Sequence, residues 1–123
     1  MQKKILIVDD ELYLRELYQE ILSGAGYQVE AAVDGEDGLN KITATQYDLV
    51  LLDVMMPKLD GIGVLTKLST QQLSHPKPII VLWTNLSHDP VIKEALEKGA
   101  KAFLVKADLT PDQIVLQVNK FLT

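Results

Sequence analysis

Asp9, Asp10 and Glu11 stand directly after the apolar run Ile5-Leu6-Ile7-Val8, and Asp53 stands directly after Leu49-Val50-Leu51-Leu52. Thr84 and Lys106 close apolar runs in the same way, after Ile79 to Trp83 and after Ala102 to Val105. If these runs are parallel strands, the polar residues gather beyond their carboxyl ends, where open α/β sheets bind ligands. Carboxylates that share one mouth repel one another unless a cation sits among them. A hard divalent ion with oxygen ligands resolves that repulsion, and Mg²⁺ is the first candidate. Because Mg²⁺ often takes only one or two carboxylates and completes its shell with water and phosphate oxygens, the cluster suits a phosphoryl-transfer centre. Asp53 is the candidate nucleophile, since an aspartate carboxylate can form an acyl phosphate. Lys106 would offset charge on the phosphoryl oxygens, and the Thr84 hydroxyl would hydrogen-bond one of them.

The elements that must position these groups can be read from periodicity. Val-, Ile- and Leu-rich runs alternate with helical-period segments, the pattern of repeated βα units around a parallel sheet. Strands are predicted at Lys3–Val8, Tyr27–Ala32, Asp48–Leu52, Pro78–Trp83 and Ala102–Val105. The unbroken apolar character of the first and third implies burial on both faces. Leu14, Leu17, Tyr18, Ile21 and Leu22 recur at three- and four-residue spacing, predicting a helix from Glu11 to Ser23 that Gly24 and Gly26 stop. Near Asp89 to Lys98 a shorter helix should turn Val91, Ile92, Ala95 and Leu96 inward and end at Gly99. Thr110-Pro111-Asp112-Gln113 reads as a capping box with Pro in the first turn, opening a last helix that buries Ile114, Val118, Phe121 and Leu122. The expected architecture is α/β, a doubly wound five-stranded parallel sheet of flavodoxin-like form with helices on both faces. With the strand order 2-1-3-4-5 as a premise, the first and third strands are neighbours, and Asp9, Asp10 and Asp53 converge.

At 123 residues, with 47% hydrophobic and 24% charged side chains, the chain has the size and composition of one globular domain, taken as residues 1–123. A net charge of −5 argues against direct nucleic-acid binding, which depends on clustered Lys and Arg. The absence of cysteine excludes thiolate chemistry and fits a reducing compartment. The apolar run after Met1-Gln2-Lys3-Lys4 is too short for a signal-peptide core or a membrane span, so a cytoplasmic protein without a membrane partner is expected.

Taken in order, ILIVDDE at Ile5–Glu11, DLVLLDVMMPKLDG at Asp48–Gly61, Thr84 after IIVLW and Lys106 after AFLV resemble the receiver domain of two-component response regulators. The resemblance covers essentially the whole chain. It implies a signalling domain rather than an enzyme, one that assists its own phosphorylation and dephosphorylation. Asp53 would accept a phosphoryl group from a sensor histidine kinase or a histidine phosphotransfer protein. The Asp10 and Asp53 carboxylates and the Met55 carbonyl would bind Mg²⁺, and Asp9 would assist through water. Thr84 and Phe103 match the family's paired switch positions, where the hydroxyl moves toward the phosphoryl group and the aromatic ring turns inward. The chain would be a stand-alone receiver or one domain of a longer regulator.

Several positions depart from that pattern. A proline that commonly makes a cis peptide after the active-site lysine is replaced by Ala107, and a cis bond there would cost about 2.5–4 kcal/mol, so a trans bond is predicted. Asn85, where the family usually has a small residue, should narrow access to the pocket. Met55 and Leu86 offer no polar side chain to orient an attacking water, predicting a long-lived phosphoryl state.

Simpler readings compete for single residues. Asp9-Asp10 would also suit a helix N-cap, Phe103 would also suit core packing, a lone Lys at a strand end is usually solvated, and a lone Thr in a strand usually reflects β-propensity. His75 and His88 lack metal-ligand spacing and are assigned to the surface, and Trp83 is assigned to the core. Gly61-Ile62-Gly63 lacks the third glycine of a dinucleotide fingerprint. A metal-dependent phosphohydrolase with an Asp nucleophile would need a second acid at position 55, where Met55 stands. A flavin carrier would need a hydroxyl- and glycine-rich first loop in place of Asp9-Asp10-Glu11. A degenerate receiver that only binds proteins is disfavoured by the intact Asp10, Asp53, Thr84 and Lys106.

Overall fold

The continuous apolar runs become the inner strands of a sheet because each is covered on both sides. A computed structural model describes residues 2–85 and 89–123. Its strands are β1 (Lys4–Val8), β2 (Gln28–Ala32), β3 (Leu49–Leu52), β4 (Ile79–Thr84) and β5 (Ala102–Val105). The helices between and after them are α1 (Leu12–Gly24), α2 (Gly35–Ala44), α3 (Gly61–Ser69), α4 (Asp89–Glu97) and α5 (Pro111–Phe121). All pairings are parallel and the spatial order is β2-β1-β3-β4-β5, so the premise on which the acidic residues were brought together holds.

Side-chain alternation divides the core in two. Leu6, Val8, Val50, Leu52, Ile80 and Leu82 face one layer with α2, α3 and α4, while Ile5, Ile7, Leu49, Leu51, Val81 and Trp83 face the other with α1 and α5. Each fully buried aliphatic side chain contributes about 1.5–3 kcal/mol relative to exposure, and neither β3 nor β1 beyond its first residue, Lys4, carries a polar side chain on either face.

The helix starts follow local chemistry. Asp34 caps α2 by accepting from the Asp37 amide at 2.8 Å, and Asp60 caps α3 by accepting from the Gly63 amide at 2.7 Å. Thr110 and Gln113 form the reciprocal box expected at α5. The N-cap of α1 is Glu11, whose side chain makes no capping bond, so neither Asp9 nor Asp10 is spent as its cap.

Three expectations are corrected. Leu96 is 41% exposed, because Val91 and Leu96 flank the buried Ile92–Ala95 stripe and only Val91 packs against the core. His75 is half-buried rather than superficial, with Nδ1 3.2 Å from the Pro76 carbonyl and Nε2 shielded and without a hydrogen-bond partner among the described residues. Strand β4 runs on to Thr84, which pairs with Val105, instead of stopping at Trp83. Trp83 itself is fully buried. No described peptide bond is cis, so Lys106–Ala107 is trans as its cost predicted. The expectations for Leu86 and His88 lie outside the described residues.

Candidate functional site

Register brings the acidic strand ends together. Val8 of β1 is paired with Leu52 of β3, and the Asp53 amide donates to the Val8 carbonyl at 3.0 Å, so Asp9 and Asp53 leave adjacent strands side by side. Asp9 is completely buried and Asp53 nearly so, whereas Asp10 is exposed at the rim. Carboxylate oxygens of Asp9, Asp10 and Asp53 all lie within 4.8 Å of one another.

Lys106 follows β5, at the far edge of the sheet, and enters a single 3₁₀ turn at Lys106–Asp108. Its long stem crosses β4, and Nζ donates to Asp53 Oδ2 at 2.9 Å and to Asp9 Oδ2. One ammonium thus binds two buried carboxylates, with only 5% of its side chain exposed. Burial acts against the Lys106 charge, but its bonds to Asp9 and Asp53 outweigh this and raise its pKa. For Asp53 burial wins, and its pKa is raised although Lys106 pulls the other way.

The surrounding backbone holds this arrangement in place. Asp9 Oδ1 accepts from the Glu11 amide at 3.0 Å, and Arg15 of α1 donates from Nη1 to the Asp9 carbonyl at 2.8 Å. The Met55 amide lies 3.4 Å from Asp53 Oδ1, while the Met55 side chain is 65% exposed. Thr84 is buried on the same face of the sheet as Leu82, beside Val105. Phe103, paired with Leu82, is 40% exposed, so the core-packing alternative does not describe its position. Asn85 is exposed next to Thr84.

Sequence reading missed the residues that let the loops close over Asp53. Gly61 starts α3 against the Asp53 carbonyl, where an added Cβ would lie 2.5 Å from that oxygen, and its amide donates to Val54 at 2.9 Å. At Gly35 a Cβ would lie 1.7 Å from the Leu59 carbonyl, so the start of α2 is pressed onto the loop after β3. The glycine pair set aside as a nucleotide motif was the available signal for Gly61. Lys58 adopts φ 66°, a left-handed conformation uncommon outside glycine, and its Nζ is 3.7 Å from Asp34 Oδ2.

The donor set fits a small hard cation. Mg²⁺–oxygen bonds of 2.0–2.1 Å allow two ligands of one ion to stand up to about 4.2 Å apart, close to the spread of the cluster. Asp10 at the exposed rim and Asp53 beneath it could both meet such an ion directly. Asp9 lies deeper and already holds Lys106. The arrangement combines an oxygen-rich cation site, a buried carboxylate and a lysine aimed at that carboxylate, the parts that phosphoryl transfer to an aspartate requires.

Known proteins resemble the chain across this whole arrangement. Residues 5–119 match the sequence profile of the response regulator receiver domain. The alkaline phosphatase synthesis transcriptional regulatory protein PhoP of Bacillus subtilis is 41% identical over 99% of the chain, but the chain spans only 49% of that protein. The chemotaxis protein CheY of Thermotoga maritima is 31% identical, with 98% of each chain covered. The solved structure of the response regulator TrrA of Thermotoga maritima in complex with Mg²⁺-BeF superimposes with a TM-score of 0.83 at 34% identity, covering 98% of this chain and 100% of that one.

Proposed function

The chain belongs to the response regulator receiver domain family, the phosphorylation-dependent switches of two-component signalling, and we propose that Asp53 is its phosphoryl acceptor. Residues 1–123 are read as one such domain, and the phosphoryl donor as a sensor histidine kinase or a histidine phosphotransfer protein. The observation that carries the assignment of Asp53 is its contact with Lys106 at 2.9 Å, inside a cluster of three carboxylates.

In the proposed reaction one Asp53 carboxylate oxygen attacks the phosphorus of a phosphohistidine. The O–P bond forms as the P–N bond breaks, and the departing imidazole nitrogen takes up a proton. Asp10, Asp53 and the Met55 carbonyl would hold Mg²⁺, with Asp9 assisting through water, and the ion would supply charge neutralisation for the transfer. Lys106, already beside Asp53, shifts its ammonium onto a phosphoryl oxygen. Thr84 offers its hydroxyl to another oxygen. Phe103 lies on the same sheet face as Thr84 and near half-exposure, so it has room to turn inward when Thr84 moves. The domain's role is to change its surface rather than to turn over a substrate. Its proposed compartment is the cytoplasm, in keeping with the absence of cysteine.

Incubation with Mg²⁺ and a small phosphodonor tests the acceptor by intact-mass measurement. The expected result is a gain of one phosphoryl group that is lost in Asp53→Ala. Steady phosphate release from varied substrates, with no covalent adduct, would instead identify a phosphohydrolase.

A further inference from the structure

A second concavity, of about 250 Å³, lies at the end of the sheet remote from Asp53. Leu65 and Leu68 of α3, Leu73 of the following loop and Ile80 near the start of β4 form an apolar wall. Ile80 is four residues before Thr84 on the same strand, about 13 Å away at 3.3 Å per residue, so the concavity is separate from the phosphorylation site.

Its charge is one-sided. Lys77 and Lys98 line it, and no acidic residue does so among the described residues. Neither lysine has a carboxylate partner among the described ion pairs. Lys77 donates from Nζ to the Leu68 carbonyl at 3.2 Å, which holds its ammonium against the rim of the apolar wall. An occupant that satisfies both features carries an apolar body and one anionic end. The volume is below the range of about 300–1,000 Å³ common for drug-sized ligands, which limits the occupant to a short molecule.

We propose that this concavity binds a small amphiphilic anion, a medium-chain carboxylate being the simplest member of the class. The tail lies against Leu65, Leu68, Leu73 and Ile80, and the carboxylate lies between Lys77 and Lys98. Such a ligand bridges α3, β4 and the end of α4, surfaces brought together only by folding, so it stabilises the domain by mass action.

Titration of ¹⁵N-labelled protein with octanoate tests the site, with octanol as the neutral control. Expected are saturable amide shifts centred on Leu68, Ile80, Lys98 and Gly99, and octanoate binding roughly five- to tenfold tighter than octanol, as one or two partly exposed charge contacts provide. In Lys77→Gln combined with Lys98→Gln, the spectrum should remain that of the folded domain, octanol binding should persist, and the advantage of octanoate should vanish. Shifts that do not saturate or that scatter over the molecule would overturn the proposal. So would equal binding of octanol by the unaltered protein, or undiminished octanoate binding by the double variant.

Discussion

Replacing Lys106 with Met keeps the length of the side chain and most of its packing while deleting the charge that holds Asp9 and Asp53. The two carboxylates that lose their partner are 0% and 8% exposed at their side chains. Breaking a buried ion pair from one side typically costs 3–5 kcal/mol, because the remaining charge stays desolvated. Asp10 and the open rim admit water and cations, which places the expected loss near the lower end, about 3 kcal/mol. At roughly 3–5 °C per kcal/mol for a domain of this size, the melting temperature should fall by about 10 °C in metal-free buffer. Divalent cation should repair much of this loss, since the variant's carboxylates no longer compete for an ammonium. Mg²⁺ at 100 times its dissociation constant returns about 2.7 kcal/mol. Urea unfolding followed by tryptophan emission, with chelator and with Mg²⁺, reads both effects. A Lys106→Met protein as stable as the parent in chelator, or one that gains less from Mg²⁺ than the parent, would refute the account of Lys106 as counter-ion to two buried acids.

Burial raises the pKa of Asp53, so in metal-free buffer its carboxylate should take up a proton above the ordinary Asp range on acidification, which the pH dependence of its side-chain carboxyl ¹³C shift checks. The raised pKa of Lys106 has the complementary sign: its contribution to stability is fully present below 10.5 and is lost only as pH rises through the higher folded value, which alkaline unfolding of Lys106→Met against the parent should show. Gly61→Ala would press a methyl onto the Asp53 carbonyl and should cost about 1–3 kcal/mol in urea unfolding while slowing adduct formation, whereas the same change at Gly24, where an added Cβ meets nothing, should leave adduct formation unchanged. Trp83 lies one residue before Thr84 and 4.9 Å from the Tyr18 ring in an edge-on pair, so Mg²⁺ with a phosphoryl mimic should alter its emission; unchanged emission at saturation removes Trp83 as a reporter. With the apolar Met55 exposed beside Asp53, the adduct should decay slowly, and Met55→Glu should shorten its half-life in a radiolabel chase.

The grouping of Asp9, Asp10, Asp53 and Lys106 was legible because a parallel sheet obliges its strand ends to meet. Apolar runs long enough to be buried on both faces could only be central strands, and the polar residue closing each run had to stand at the ligand-binding edge. Continuing the two-residue alternation past the strands even puts Asp9, Asp53 and Lys106 on one side, the side on which Lys106 reaches both acids. The strands came within a residue of their observed limits, and the helices α1, α4 and α5 within about as much, since their stripes and end signals are local.

Other features depended on approach between distant segments. Periodicity assigned no helix to α2 or α3, whose starts are set by Asp34 and Asp60 caps and by glycines chosen for close passage to Leu59 and Asp53. The exposure of Leu96 depended on which flank of α4 meets the core. That Asp9 faces Lys106, a residue 97 positions away, rather than capping α1 was decided by packing between distant segments. Sequence alone determined which groups stand at the edge of the sheet, because strand burial and alternation are properties of neighbouring residues. Only the tertiary structure decided which of them touch and which charge faces which, because those depend on register, on the crossing of β4 by Lys106, and on the desolvation that packing imposes.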